Sequence, residues 1–506
     1  MNSMNRRSLL LAGLGVVSAG ALAGCTTDKE RTQTGRTHDV TLTAAQAEVE
    51  LGAGISVRTW SFNGRLPGGA LRISAGGTLA ATLSNQLPDQ ATTSIHWHGI
   101  ALRNDADGVP PVTQAAVRAG ANFTYRFVAD APGTYFFHPH VGVQLDRGLY
   151  APLIVEDPRE PLAYDEEWVV VLDDWLDGVT GTPDEVFAEL GKGMGGMTMG
   201  NDSSSPSGHG MDGMDGMDMN GGMSGSPGKF MLMNARSPLL GGDAGDVRYP
   251  YHLVNGRVPA DPAVFRGKPG NRVRLRLINA GGDTAYRVAL GGHKLTITHT
   301  DGFPVRHQQV DALLIGMGER YDVLVTLDDG VFPLVALAEG KNATGMAVVR
   351  TGSGSTPPAG VRPAELDGML VPASRLGAAD DVRLVSKRTD RVHRVELTGD
   401  MMRYDWAING RRFDMDDPAA HPITVEQGQR VRLDFVNTTT MWHPMHLHGH
   451  TYQLGAGGPR KDTTVVLPKQ TVSVFFDADN PGQWMLHCHN AYHGEAGMMA
   501  LVAYQT

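Results

Sequence analysis

Apolar residues at every second position mark three copies of one strand. Gly76-x-x-Leu79-x-Ala81-x-Leu83-x-Asn85 recurs as Gly270-x-x-Val273-x-Leu275-x-Leu277-x-Asn279, and again as Gly428-x-x-Val431-x-Leu433-x-Phe435-x-Asn437. A period of two places alternate side chains on one face, so each copy predicts a half-buried strand. An Asn-Gly-Arg precedes each copy, at Asn63-Gly64-Arg65, Asn255-Gly256-Arg257 and Asn409-Gly410-Arg411. Asn-Gly is turn chemistry, because both residues tolerate positive φ. Helical periodicity is scarce, and short alternating runs are separated by Gly, Pro, Asn and Asp. Two features in the same order, three times over, predict an all-β chain of three related β-sandwiches. The expected domains are residues 38–157, 158–350 and 382–506. Residues 191–228 break the pattern as a Gly-, Ser-, Asp- and Met-rich insertion in the middle domain, too polar to pack. Residues 351–381 read as a linker into the third domain.

A chain of 506 residues exceeds what one core can organise, in keeping with three domains. Its formal charge of -10 argues against a nucleic-acid partner, which would need a basic patch, and suits a protein that handles cations. At the N-terminus, Arg6-Arg7 precedes an apolar run ending in Leu22-Ala23-Gly24-Cys25. The run is short for a membrane span, so residues 1–25 are read as an export signal. Leu-Ala-Gly-Cys resembles a bacterial lipobox, which implies acylation of Cys25 and a lipid anchor on the outer face of the cell membrane. The arginine pair resembles the Tat signal of proteins exported already folded. Residues 26–37 then form a polar tether. Cys488 is left as the single thiol of the folded body, so no disulfide staples it.

The chemistry lies in four clusters: His96-Trp97-His98-Gly99, His138-Pro139-His140, His443-Pro444-Met445-His446-Leu447-His448, and His487-Cys488-His489 followed by His493 and Met498. A lone thiol with two imidazoles and a weak methionine is the donor set of a blue-copper electron-transfer site. On a strand, Cys488 faces one way and its neighbours His487 and His489 the other. Cys488 can bind one copper while its neighbours reach a second site, roughly 12–13 Å away. Four His-x-His pairs supply eight imidazoles, enough for three more coppers with positions open to oxygen. These pairs belong to the first and third domains. The middle domain has none and is expected to be a spacer.

In order and spacing, the four motifs resemble those of three-domain multicopper oxidases, and the repeat extends the likeness over essentially the whole mature chain. The resemblance implies cupredoxin-like Greek-key sandwiches and four copper ions. It puts type 1 copper on His443, Cys488 and His493 with Met498 axial, and type 2 copper on His96 and His446. One type 3 copper falls to His98, His138 and His489, the other to His140, His448 and His487. It further implies one-electron oxidation of a substrate, with electrons leaving through Cys488, coupled to reduction of O2 to water. Asp107, in Asn104-Asp105-Ala106-Asp107-Gly108, resembles the family's acid near the type 2 copper, although Asp-Gly is also turn chemistry. Copper-oxidising relatives often carry a glutamate directly after the second type 1 histidine. Here that position is Gly494, and Glu495 follows as the candidate second proton-relay acid.

Substrate is suggested by methionine. Met194, Met197, Met199, Met211, Met214, Met217, Met219 and Met223 lie among Gly, Asp and His209. Thioethers are soft ligands that favour Cu(I). Met211, Met214, Met217 and Met219 are candidate substrate-copper ligands. Met441, two residues before His443, is either another or simply core. The expected protein is an exported oxidase turning Cu(I) into Cu(II), and so detoxifying copper. A laccase-like phenol oxidase, an Fe(II) or Mn(II) oxidase, and a non-enzymatic copper sequestration protein are the alternatives. The remaining histidines, including His252, His299 and His421, are expected to be structural or superficial.

Overall fold

The computed structural model describes residues 36–194 and 228–505. The export signal with Cys25, and Met197, Met199, Met211, Met214, Met217, Met219 and Met223, lie outside the described residues.

All three copies of the repeat are strands: Gly77–Gln86, Arg272–Asn279 and Arg430–Asn437. Each pairs in parallel with the leading strand of its own sandwich, Thr37–Gly52, Glu166–Trp175 and Arg391–Thr398 respectively. On the other side each pairs antiparallel, with Asn122–Ala129, Arg320–Thr326 and Thr471–Asp477. The second sheets repeat as well, each holding one parallel pair: Leu71–Ser74 with Ala151–Glu156, Ala263–Arg266 with Ala343–Arg350, and Ile423–Glu426 with Met499–Gln505. Parallel neighbours inside otherwise antiparallel sheets require crossovers between the layers, which gives the cupredoxin-like Greek key three times.

Local chemistry explains the repeated residues. Asn63, Asn255 and Asn409 have φ of 54°, 50° and 54°, and the glycine after each is also positive, so every Asn-Gly forms a tight hairpin turn. The asparagine closing each repeat strand is buried and does the same work each time. Asn85 Nδ2 donates to the carbonyls of Ala91 and Val117, Asn279 Nδ2 to those of Thr284 and Ile315, and Asn437 Nδ2 to those of Met441 and Val466. Asn437 therefore fixes the backbone two residues before His443. The alternating apolar residues fill the cores: Leu275 and Leu277 are fully buried in the middle sandwich, where truncation of either to alanine would cost about 2–5 kcal/mol.

The helix Pro183–Leu190 leads into the Met-rich stretch and is started by a capping box between Thr182 and Glu185, with proline in its first turn. After the middle sandwich, the short turns Ala364–Asp367 and Ala373–Arg375 bury Leu366 and Leu376 against it. No described helix is long and apolar enough to cross a membrane.

Candidate metal centres

The strand His443–Leu447 pairs antiparallel with Gln483–Cys488, placing Met445 opposite Cys488 and His446 opposite His487. Alternation then separates two sets of donors. Cys488 Sγ lies 3.7 Å from His443 Nδ1 and 3.8 Å from His493 Nδ1, and these two nitrogens are 3.1 Å apart. Met498 shares the buried apolar cluster of Cys488, as does Met441, which is 1% exposed. The outer nitrogens of both rings are anchored: His443 Nε2 to Thr439 Oγ1 at 2.9 Å, His493 Nε2 to Asp246 Oδ2 at 2.9 Å. Trp406 packs over both imidazoles.

On the opposite side of the Cys488 strand, eight histidines of the first and third sandwiches meet. The ring of His96 stacks on His448 at 3.7 Å, and that of His98 on His446 at 3.8 Å. His138 Nε2 is 3.4 Å from His489 Nε2, and His487 Nε2 is 3.5 Å from His140 Nε2 and 3.1 Å from His448 Nε2. Tautomers follow from the Nδ1 partners. Carbonyl oxygens can only accept, so His96, His138, His446 and His487 donate Nδ1–H to the carbonyls of Asp107, Pro139, Asp462 and Cys488. His448 Nδ1 donates to Asp107 Oδ2 at 2.9 Å. Their Nε2 atoms therefore carry lone pairs.

These lone pairs test whether copper fits. His448 Nε2 and His487 Nε2 face each other with no proton for either, an arrangement that a bound cation relieves. His96 Nε2, His98 Nδ1, His446 Nε2 and His489 Nδ1 are buried without a hydrogen-bond partner. An unsatisfied buried acceptor costs about 1–3 kcal/mol, and copper bound here answers all of them. Burial, aided by neighbouring imidazoles, holds His98, His138, His140, His446, His448 and His489 below the ordinary histidine range, and His487 down to about 3. The neutral ring is the one that ligates. His493 runs the other way: burial opposes its charge, but Asp246 and Cys488 outweigh burial and raise it to about 10.

Asp107 is buried between His96 and His448, bonded to both. Glu495 lines an open pocket with His140, His487 and His489, and burial, then Asp184, raises its carboxyl above the usual range. The expectation that the middle sandwich is a spacer is overturned. It supplies Asp246 to His493 and Arg320, which grips Asp462 at 2.7 and 2.6 Å. Asp462 in turn accepts from His98 Nε2 at 3.1 Å. Asp246, Asp283 and Asp462 carried no motif.

Three cupredoxin-like sandwiches, with a thiol–imidazole pocket joined to an imidazole cage by one His-Cys-His run, define a multi-centre copper protein. Models of the family described as "Multicopper oxidase" match residues 43–160, 166–354 and 388–506. The chain is 45% identical to "Multicopper oxidase MmcO" of Mycobacterium tuberculosis, over 99% of this chain and 96% of that one. It is 28% identical to "Copper resistance protein A homolog" of Pseudomonas syringae pv. tomato, over 97% and 96% of the two chains. Among solved structures, the multi-copper oxidase from Pseudomonas thermotolerans superposes with a TM-score of 0.67 at 27% identity, over 93% of this chain and all of that one. The chain belongs to the multicopper oxidase family. It is thus an oxidoreductase with type 1, type 2 and type 3 copper that uses O2 as electron acceptor.

Proposed function

We propose that this oxidase removes single electrons from Cu(I), releasing Cu(II). The observation that carries the reading is methionine at the surface of the apolar cluster in which Cys488 is buried. Met194, Met233 and Met401 pack, half-buried, against the apolar cluster holding Cys488, and Met402 beside them is 51% exposed. Thioethers favour Cu(I) over harder cations. The relative named "Copper resistance protein A homolog" supports the same reading.

In this proposal His443, Cys488 and His493, with the thioether of Met498 as the weak further donor, would hold type 1 copper. His96 and His446 hold type 2 copper; His98, His138 and His489, and His140, His448 and His487, hold the type 3 pair. Bound copper supplies the redox chemistry, four one-electron oxidations against reduction of one O2 to two waters. The chain supplies the path and the protons. Cys488 is joined to His487 and His489 through the backbone, and to His487 also by the bond from His487 Nδ1 to its own carbonyl, 2.9 Å. Asp107, whose Oδ1 is buried without a hydrogen-bond partner, relays a proton between the cage histidines, and Glu495 delivers another from the open pocket. Both acids, and the substrate roles of Met441, Met211, Met214, Met217 and Met219, belong to this reading. So do the functional units 38–157, 158–350 and 382–506, Tat export, and anchoring through Cys25.

A second reading, a laccase-like phenol oxidase, is favoured by Asp246. Its Oδ1 has no partner, so it can take the proton a phenol sheds beside His493. Steady-state O2 uptake with Cu(I), Fe(II) and a phenol decides between them. The proposal expects the highest kcat/KM with Cu(I); a clear preference for the phenol, with Cu(I) inert, would replace it.

A further inference from the structure

His493 sits in the five-residue helix Ala491–Glu495, whose N-cap is Asn490. Asn490 Oδ1 accepts from the backbone of Tyr492 at 3.0 Å and of His493 at 3.1 Å. An asparagine cap works only if its amide faces the right way. Here the amide is oriented from across the domain boundary: Asn490 Nδ2 donates to Asp283 Oδ1 at 2.7 Å. The backbone of Ala491 donates to Gly282 O beside it, at 2.9 Å.

The same carboxylate reaches the far side of the ring. Asp283 Oδ2 accepts from the backbone of Asp246 and of Val247, each at 3.0 Å. This sets the position of Asp246, whose Oδ2 receives His493 Nε2. One buried side chain thus fixes both the main chain of His493 and the partner of its imidazole. Lys341 Nζ, 2.6 Å from Asp283 Oδ2 and buried with it, balances the charge. Space is reserved for the carboxylate: Gly245 has φ of 143°, and a Cβ there would stand 2.6 Å from Asp283 Oδ2.

We propose that Asp283, in the sandwich without metal ligands, is the positioning residue of the type 1 histidine, setting how firmly Asp246 bonds His493. This rests on the type 1 assignment above. A carboxylate accepting from the outer N–H makes an imidazole a stronger donor and orients it for its metal. A donor strengthened in this way favours oxidised copper, so slackening it raises the type 1 potential and loosens that copper alone.

The test compares copper-loaded wild type with Asp283→Asn, Asn490→Ala and the double variant. Each is measured for copper content, blue absorbance, type 1 potential by redox titration, and copper release to a chelator. Asp283→Asn is expected to keep its trinuclear coppers, to release type 1 copper about tenfold faster, and to shift the potential upward. Asn490→Ala leaves the buried charge pair untouched and should show the same signature more weakly. The double variant should fall short of the sum of the two single effects, as expected for residues that share a contact. Asp283→Asn with Lys341→Met restores charge balance without restoring the acceptors, and should stay defective at type 1. Recovery there would make Asp283 a charge-balancing residue only and overturn the proposal. So would an unchanged type 1 potential and release rate in Asn490→Ala, which also judges the idea if Asp283→Asn does not fold. A blue band surviving Cys488→Ser would overturn the type 1 assignment itself, and this proposal with it.

Discussion

His487 donates its Nδ1–H to the carbonyl oxygen of Cys488, 2.9 Å away, within the run that joins the two candidate centres. The bond does two things at once. It forces the tautomer that leaves His487 Nε2 as a lone pair facing His448 Nε2 at 3.1 Å. It also gives an electron leaving the thiolate a hydrogen-bonded shortcut beside the covalent chain. Strand alternation alone would supply only the covalent route.

Asp107 bonds His448 through its carboxylate and His96 through its carbonyl, so its substitution separates proton delivery from metal binding. Asp107→Asn can still accept from His448 Nδ1 but carries no acidic proton. It is expected to bind four coppers and to be reduced by substrate at the wild-type rate. Reoxidation by O2 should slow about a hundredfold, in the range of a lost general acid. Anaerobic and aerobic stopped-flow traces of the blue band measure the two halves. Slowing of both alike would remove Asp107 from the proton path.

Met498 is fully buried in the Cys488 cluster, and the backbone of Cys488 donates to its carbonyl at 3.0 Å. Met498→Leu keeps volume and that backbone bond but removes the thioether. The blue band should persist, since it arises from the thiolate, while the type 1 potential rises. Loss of the band in a folded variant would show that Met498 is not the axial ligand.

Replacing residues 195–227 by a short Gly-Ser linker tests the Met-rich stretch. Cu(I) oxidation at low free copper should fall, because soft donors that concentrate the ion are gone. Phenol oxidation should hold steady or rise. Oxygen consumption with both substrates reads the outcome, and unchanged rates with both would leave the stretch without a part in substrate capture.

Acid sensitivity has a second source apart from the copper ligands. Burial, with Lys341 nearby, pushes His252 down to about 3, and its Nδ1 bonds Tyr286 OH at 2.8 Å. The unfolded chain takes up this proton near pH 6.5, whereas the folded one does not until near 3. The unfolded state therefore binds more protons across that window, and stability falls as pH drops, by up to about 5 kcal/mol. His252→Gln retains a partner for Tyr286 without titrating. Its denaturation midpoint should depend less steeply on pH between about 4 and 6 than that of wild type; equal slopes would contradict the assignment.

The strands, and the histidine and cysteine clusters that the fold brings together, are legible because their signals are local. Alternation, Asn-Gly turns and His-x-His pairs each fit within a dozen residues, and three-fold repetition removed the ambiguity of any single copy. The residues that steady the donors were not legible. Asp246 meets His493 across 247 positions of sequence, and nothing in Gly242-Asp243-Ala244-Gly245-Asp246 separates it from an ordinary turn. Asp283 and Arg320 were passed over for the same reason, and with them the part the middle sandwich plays in both centres. Fold class follows from periodicity, whereas outer contacts of a ligand depend on which loops the fold brings together.

His138 and His489 come within 3.4 Å although 351 residues separate them in the chain. Each proposed ligand set includes at least one residue from position 443 onward. During synthesis the ribosome has therefore released the whole first sandwich, with four of the eight cage imidazoles, long before any set is complete. A nascent chain offers metal only part of each proposed set, although His96, His98 and His138 of the first sandwich already lie close together. Completion of every proposed set is therefore a late event, and a bound ion would tie the first sandwich to the third. Direct contacts such as Asn104 Nδ2 to Gln483 O also join the two sandwiches, so metal withdrawal should lower the stability of their junction while leaving the fold in place.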